Sequence, residues 1–257
     1  MIFFVGCSGL EKSESKKRRQ VNLVVEPIKR KSSDHFFTIP TPQPSKNKEI
    51  YPWEKKYIGN LPRITREFFR CKGHPLNPPL CVESESHQIT YQIDCGGIER
   101  HSLPIRHGSE FIYPILIDLL NTIQEKTHKP VVITSGHRCP THNLYVDPSK
   151  KNRLSKHLMG AEVDFYVEGM EYEPLMVISI IDEFYKIDTE FNGLKNVENH
   201  WLNREVVVTC HPIEEKRNGD NQHPYPYITI EVKYDRENKK PVHFSWHQGY
   251  NGFHRNG

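Results

Sequence analysis

Apolar and polar positions alternate most regularly in the second half of the 257-residue chain. Residues 109–127 carry apolar side chains at 112, 115, 116, 119, 120 and 123, a spacing that places them on one face of an α-helix. Pro114 indicates where the regular part begins, since proline suits the first turn. Residues 173–187 follow the same pattern with Pro174 in the first turn. We therefore predict two amphipathic helices.

The strand pattern complements these helices. Residues 130–135 form a short β-branched run, and 161–167 alternate so that Glu162 and Asp164 share the face opposite the apolar one. Further strands are predicted at 89–93, 204–209, 227–234 and 241–246, the last two joined as a hairpin through D-R-E-N-K-K. Helices and adjacent antiparallel strands indicate an α+β fold, an antiparallel sheet with flanking helices.

The pattern divides the chain into two parts. Residues 8–50 are charged and rich in Ser and Pro, so we expect 1–50 to be a signal remnant followed by a flexible tether. Residues 51–257 are expected to form a single catalytic domain, in which 51–108 has no clear element pattern.

Charge restricts the partners of the protein. Lys and Arg total 35 against 32 for Asp and Glu, a net charge of +3. A balance this close to neutral does not indicate a nucleic-acid partner, and we expect a monomer that binds no nucleic acid.

The N-terminal run M-I-F-F-V-G-C resembles the end of a bacterial lipoprotein signal, in which the cysteine, here Cys7, is lipidated. This predicts a place in the cell envelope, on the periplasmic side, with a lipid anchor. Only six residues precede Cys7, and the K-K-R-R run at 16–19 disfavours export.

The six cysteines, at 7, 71, 81, 95, 139 and 210, contain no C-x-x-C pair. A disulfide between Cys71 and Cys81 would close a proline-rich loop, and Cys139 is expected to pair with Cys95 or Cys210. The alternative is a set of buried free thiols in a cytosolic protein.

The stretch S-K-H-L-M-G-A-E-V-D at 155–164 contains candidate metal ligands. His157 and Asp164 can both reach one metal ion if the chain reverses at Gly160. A hydrolytic zinc site needs about three protein ligands and an open position for water. The third ligand must come from far along the chain, and His243 on the predicted last strand suits it.

Three blocks of the sequence, in order, resemble those of the zinc D-Ala-D-Ala carboxypeptidase superfamily, the M15 peptidases. They are T-S-G-H-R-C-P-T-H-N at 134–143, S-K-H-L-M-G-A-E-V-D at 155–164 and P-V-H-F-S-W at 241–246. The resemblance covers about 120 residues and implies zinc ligation by His157, Asp164 and His243. It also implies that Arg138 binds or polarises the substrate and that Ser155 orients the site and contacts the substrate.

The chain departs from the family pattern at the proton-transfer group. Family members commonly hold an acidic residue three positions before the last zinc histidine, or a histidine two positions before it, where this chain has Lys240 and Pro241. Glu231, His247 and Glu162 are the available substitutes, and we take His247 as the catalytic candidate. Six other histidines are predicted to have no part in the chemistry, although the H-S-L-P-I-R-H run at 101–107 could line the cleft: His74, His87, His101, His107, His211 and His223.

The resemblance implies a zinc-dependent metallopeptidase that hydrolyses peptidoglycan stem peptides, as a D,D-carboxypeptidase or an endopeptidase. Two other functions stay open. One is a zinc-stabilised module that binds cell-wall peptides without cutting them, because the chain departs from the family pattern at the proton-transfer group. The other is a cytosolic zinc dipeptidase, which requires reduced cysteines and an unmodified Cys7.

Overall fold

The computed structural model describes residues 56–83, 89–97, 100–148, 153–214 and 217–255. The predicted tether at 1–50 and Cys7 lie outside these residues. The helices are α1 (Pro114–Thr127), α2 (Pro140–Val146), α3 (Pro174–Lys186) and α4 (Trp246–Asn251). The strands are β1 (Tyr57–Ile58), β2 (Leu61–Pro62), β3 (Leu80–Glu83), β4 (Ile89–Gln92), β5 (Ile105–Arg106), β6 (Ser109–Glu110), β7 (Val131–Ser135), β8 (Glu162–Val167), β9 (Lys195–Val197), β10 (His200–Leu202), β11 (Val206–His211), β12 (Tyr227–Val232), β13 (Tyr234–Asp235) and β14 (Lys240–Pro241).

A six-stranded antiparallel sheet forms the centre of the fold, in the order β7-β8-β12-β11-β10-β9. The register between β8 and β12 places Thr229 opposite Asp164 and Glu231 opposite Glu162. The predicted α+β class with an antiparallel sheet is therefore confirmed.

One apolar core joins the sheet to the two long helices. Helix α1 contributes four fully buried side chains and packs against α3. Val163 and Phe165 of β8 are equally buried in the same core. Each such side chain contributes about 1.5–3 kcal/mol by leaving water. Because strand side chains alternate, burying Val163 and Phe165 turns Glu162 and Asp164 to the opposite face of the sheet.

The segment that sequence patterns left unassigned consists of short hairpins and a 3-10 helix, Arg66–Phe69. Ile64 and Phe69 are fully buried, and the Ile64 amide donates to Asn121 Oδ1 on α1 at 2.9 Å. This segment is thus part of the same domain core.

The prediction of a strand at 241–246 is wrong. Only Lys240–Pro241 pairs as a strand, with β13, and this confirms the hairpin across D-R-E-N-K-K. Beyond it, Ser245 ends the extended chain because its Oγ accepts the Gln248 amide and caps α4. No helix in the part of the chain that the structure describes is long and apolar enough to cross a bilayer.

Candidate metal centre

A 3-10 helix, Lys156–Met159, brings His157 to the polar face of the sheet. Ser155 caps this helix, since its Oγ accepts the His157 amide at 3.2 Å. Gly160 ends it in the left-handed conformation, with φ +67°, which glycine adopts without strain. The reversal predicted at Gly160 is therefore confirmed, and it leads directly into β8.

Three donor atoms converge at this point. His157 Nε2 lies 3.4 Å from Asp164 Oδ2 and 3.7 Å from Glu162 Oε1, and all three ligand atoms lie within 4.8 Å of one another. The other ring nitrogen, Nδ1, is 2.7 Å from the Gly136 carbonyl oxygen, to which it can donate. A histidine held in this way directs its Nε2 lone pair toward a metal ion.

Asp164 is the most strongly held carboxylate of the group. Its Oδ1 accepts the Thr229 hydroxyl at 2.7 Å, and its Oδ2 accepts from Asn221 Nδ2 at 2.8 Å and Arg138 Nη2 at 3.2 Å. Burial alone would raise the pKa of Asp164, but His157, Arg138 and the Thr229 hydroxyl hold it well below its usual range. Asp164 is therefore a carboxylate at neutral pH.

His157 responds to the same charges in the opposite direction. Burial and Arg138 oppose protonation of its ring, yet Glu162 and Asp164 outweigh them and raise its pKa. The site is thus a negative pocket that attracts a cation, either a proton or a metal ion.

Arg138 lies beneath the site and not at its mouth. Its side chain is only 3% exposed, and Nε donates to Ser135 Oγ at 2.7 Å and to Asp220 Oδ2 at 3.0 Å. Its backbone amide donates to the His157 carbonyl at 3.2 Å. The predicted contact with substrate therefore has little support in this geometry, whereas a role in positioning Asp164 and His157 has direct support.

Two predicted histidines lie elsewhere. His243 is exposed in a surface depression lined also by Lys156 and Glu231, and His247 is exposed on α4. Within the part of the chain that the structure describes, the group around His157 is completed by Glu162 and does not include His243. The strand that would have carried His243 to the site does not form, and Thr229 holds the position opposite Asp164.

Ser155 lies at the site as predicted, although its contact there is with protein. The Ser155 hydroxyl donates to Glu162 Oε2 at 3.1 Å, and Glu162 Oε2 also accepts the His157 amide at 3.1 Å. Ser155 therefore orients Glu162 and the helix that carries His157.

Comparison with known proteins bears on this arrangement. Residues 92–208 match the family model of Peptidase M15. The match is consistent with the M15 zinc peptidase superfamily and confirms the resemblance for the blocks at 134–143 and 155–164, whereas the block at 241–246 lies beyond the matched residues. No curated protein and no solved structure matches the chain. The M15 match indicates a metallopeptidase of the zinc-dependent kind. It includes Arg138, His157, Glu162 and Asp164 but ends before β12 and His243.

The donor set in the M15 segment fits a zinc ion. Zinc accepts imidazole nitrogen and carboxylate oxygen, and a catalytic site holds it with three protein ligands and one open position. His157, Glu162 and Asp164 supply one nitrogen and two carboxylates, and the Glu162 side chain is 19% exposed. The exposed side of the site therefore lies at Glu162.

Polar residues that sequence patterns did not single out extend the candidate site inward. His142 lies between two carboxylates, with Nδ1 2.6 Å from Asp94 Oδ1 and Nε2 3.0 Å from Asp220 Oδ1. Burial would lower the pKa of His142, but Asp220 and Asp94 raise it well above its usual value. A continuous network thus runs from Asp94 through Asp220 and Arg138 to Asp164. Its members come from distant parts of the chain, so no local spacing indicates it.

Proposed function

We propose that this protein is a zinc-dependent peptidase that hydrolyses peptide bonds in peptidoglycan stem peptides, as a D,D-carboxypeptidase or an endopeptidase. The observation that supports this most is the convergence of His157, Glu162 and Asp164 within a segment that matches Peptidase M15. In this proposal the three side chains hold the ion, and Arg138 and Ser155 fix the positions of the carboxylates.

Zinc bound here would supply Lewis-acid activation of water and of the scissile carbonyl. The chain must then provide a group that moves a proton to the leaving amine. Glu231 suits this role better than His247, because it is the cross-strand partner of Glu162 on the neighbouring strand β12 and its side chain is 40% exposed. Lys156 Nζ lies 2.7 Å from Glu231 Oε1, and this ion pair holds the carboxylate in place.

The test is turnover of defined stem peptides by the zinc-loaded protein, followed by mass spectrometry of released D-alanine or shortened stems. We expect product from the wild type and from His243→Ala, the control histidine outside the group. We expect none from His157→Ala, which loses a ligand. Glu231→Gln should retain zinc at the site and lose turnover, whereas Glu162→Gln should weaken zinc binding itself.

A second candidate function, a zinc-stabilised module that binds cell-wall peptides, is favoured by the environment of Glu231. Its carboxylate is already paired with Lys156 Nζ at 2.7 Å, which leaves it less free to move a proton. For this function we expect no product despite bound zinc, together with saturable binding of stem peptides in calorimetry.

We also propose attachment to the cell envelope through a lipid on Cys7, which rests on the N-terminal sequence pattern. Cys71, Cys81, Cys95 and Cys139 are free thiols, and this favours the alternative of a cytosolic zinc dipeptidase. Mass spectrometry of the N-terminal peptide from the native source separates the two. A diacylated Cys7 supports the envelope, and an unmodified Met1–Cys7 peptide supports the cytosolic enzyme.

A further inference from the structure

A second cluster of metal-ligating side chains lies apart from the His157 group. It consists of Cys71, Cys95, His101 and Cys139, and their four ligand atoms lie within 4.8 Å of one another. All four residues are buried, none more than 8% exposed. They come from the loop after the first 3-10 helix, the loop after β4 and the start of α2.

The distances within this cluster match a tetrahedral ion. Cys71 Sγ and Cys95 Sγ are 3.7 Å apart, and Cys95 Sγ is 3.5 Å from His101 Nε2. Zn–S bonds of about 2.3 Å at tetrahedral angles set two sulfurs about 3.8 Å apart, and a Zn–N bond of about 2.0–2.1 Å sets nitrogen and sulfur about 3.6 Å apart. A disulfide would need sulfurs about 2.05 Å apart.

Neighbouring groups orient these ligands. Backbone amides of Gly97 and His142 donate to the sulfurs of Cys95 and Cys139, each at 3.4 Å, and such bonds stabilise thiolates. His101 Nδ1 lies 3.3 Å from the Ser102 carbonyl oxygen, which leaves Nε2 toward the sulfurs.

Close packing around the cluster requires a glycine. A Cβ at Gly73 would lie 2.1 Å from Cys95 Sγ, so no larger residue fits beside this sulfur. The backbone two residues after Cys71 therefore passes directly against the cluster. Such an approach is expected where a chain wraps around a small ion.

We propose that Cys71, Cys95, His101 and Cys139 hold a structural zinc ion. A Cys₃His set with four protein ligands and no exposed side is typical of structural zinc, whereas a catalytic site keeps one position open. The predicted disulfide from Cys139 to Cys95 or Cys210 is wrong, because Cys139 is a free thiol in this cluster, and Cys81 is exposed and apart from Cys71. In this proposal His101 is a zinc ligand, in contrast to the prediction from sequence that it has no part in the chemistry.

This ion would join three separate pieces of the chain. It would fix the loops of residues 71–101 to the N-terminus of α2, where Cys139 is the cap, next to Arg138. Asp94 and His142, which flank the cluster, bond to each other at 2.6 Å and continue into the Asp220 network. The zinc would thus hold the segment before α1 against the base of the catalytic site.

The first experiment measures zinc by mass spectrometry and by zinc-edge X-ray absorption in the His157→Ala protein, purified under reducing conditions without an affinity tag. This variant lacks the other candidate site, so the result does not depend on the proposed peptidase function. We expect one zinc per chain in a shell of three sulfurs at about 2.3 Å and one nitrogen at about 2.0–2.1 Å. No bound zinc, or a shell of nitrogen and oxygen alone, would overturn the proposal.

Ligand variants give a second readout. Cys95→Ser should lose one zinc per chain, whereas Cys81→Ser, the matched control at an exposed cysteine, should keep it. Should Cys95→Ser fail to fold, thiol labelling of the wild type decides the matter. Cys81 should label at once, and Cys71, Cys95 and Cys139 only after a chelator removes the ion. Labelling of those three that is unaffected by the chelator would contradict the site.

Discussion

Arg138 offers a sharp test of the network that supports the candidate site. Replacing it by methionine removes a buried cation while keeping a side chain of similar length. Two carboxylates then lose their partner, Asp164 at 3.2 Å and Asp220 at 3.0 Å, each with a side chain only 3% exposed. Burial by itself would lower the pKa of Arg138, but Asp220 and Asp164 raise it, so the native site strongly favours the cation.

The magnitude follows from the loss of one partner in a buried ion pair. Such a change lowers the free energy of unfolding by about 3–5 kcal/mol, because uncompensated charge remains buried. Domains of this size shift by about 2–4 °C in Tm per kcal/mol, so Arg138→Met should melt about 6–20 °C lower than the wild type. The measurement is calorimetry together with urea unfolding at neutral pH.

Arg204→Met is the matched control. Arg204 lies 3.9 Å from Glu190, with both side chains 58% exposed, and its guanidinium lies 4.2 Å from the Tyr234 ring centroid. Exposed contacts of this kind contribute about 1 kcal/mol or less. If Arg138→Met unfolded within 1 kcal/mol of this control, Arg138 would not hold the carboxylates in place. The result would then favour the role of Arg138 in substrate binding that the sequence predicted.

Three further predictions concern the same network. Burial would raise the pKa of Asp220, but His142 and Arg138 hold this pKa well below its usual range. The stability that Asp220 contributes is therefore present above about pH 4 and lost as the pH falls below that value. Urea midpoints measured from pH 7 to pH 3 should fall more steeply in the wild type than in Asp220→Asn, and parallel curves would refute this. Thr229→Val removes a 2.7 Å hydrogen bond to Asp164 and should lower the unfolding free energy by about 1–3 kcal/mol, and an unchanged urea midpoint would show that the bond is not needed. Gly160→Ala places an alanine at φ +67° and should lower the unfolding free energy by about 1–2 kcal/mol and weaken zinc binding. An unchanged unfolding free energy would show that the turn does not require glycine.

Local patterns were sufficient for the main elements of the fold. The helical period of residues 109–127 and the proline at its start predicted α1, and the alternation of 161–167 predicted β8 and the face of Asp164. These signals succeed because side-chain period and burial are coupled within a single element. His157 and Asp164 were found for the same reason, since only six residues, one of them a glycine, lie between them.

The remainder depends on contacts between distant residues. Cys71, Cys95, His101 and Cys139 have no metal-binding spacing along the chain, and they meet only after three loops pack together. Asp220 reaches Arg138 from 82 positions later in the sequence. The strand expected at 241–246 failed because Ser245 caps a helix, a local signal that the alternating apolar residues concealed.

The direct test of the account is an anomalous difference map at the zinc edge from crystals of the zinc-loaded protein. A peak about 2.0–2.2 Å from His157 Nε2, with oxygens of Asp164 and Glu162 in its coordination shell, is the predicted result. A zinc peak bound instead by His243, or the absence of any peak beside His157 at full zinc loading, would contradict it.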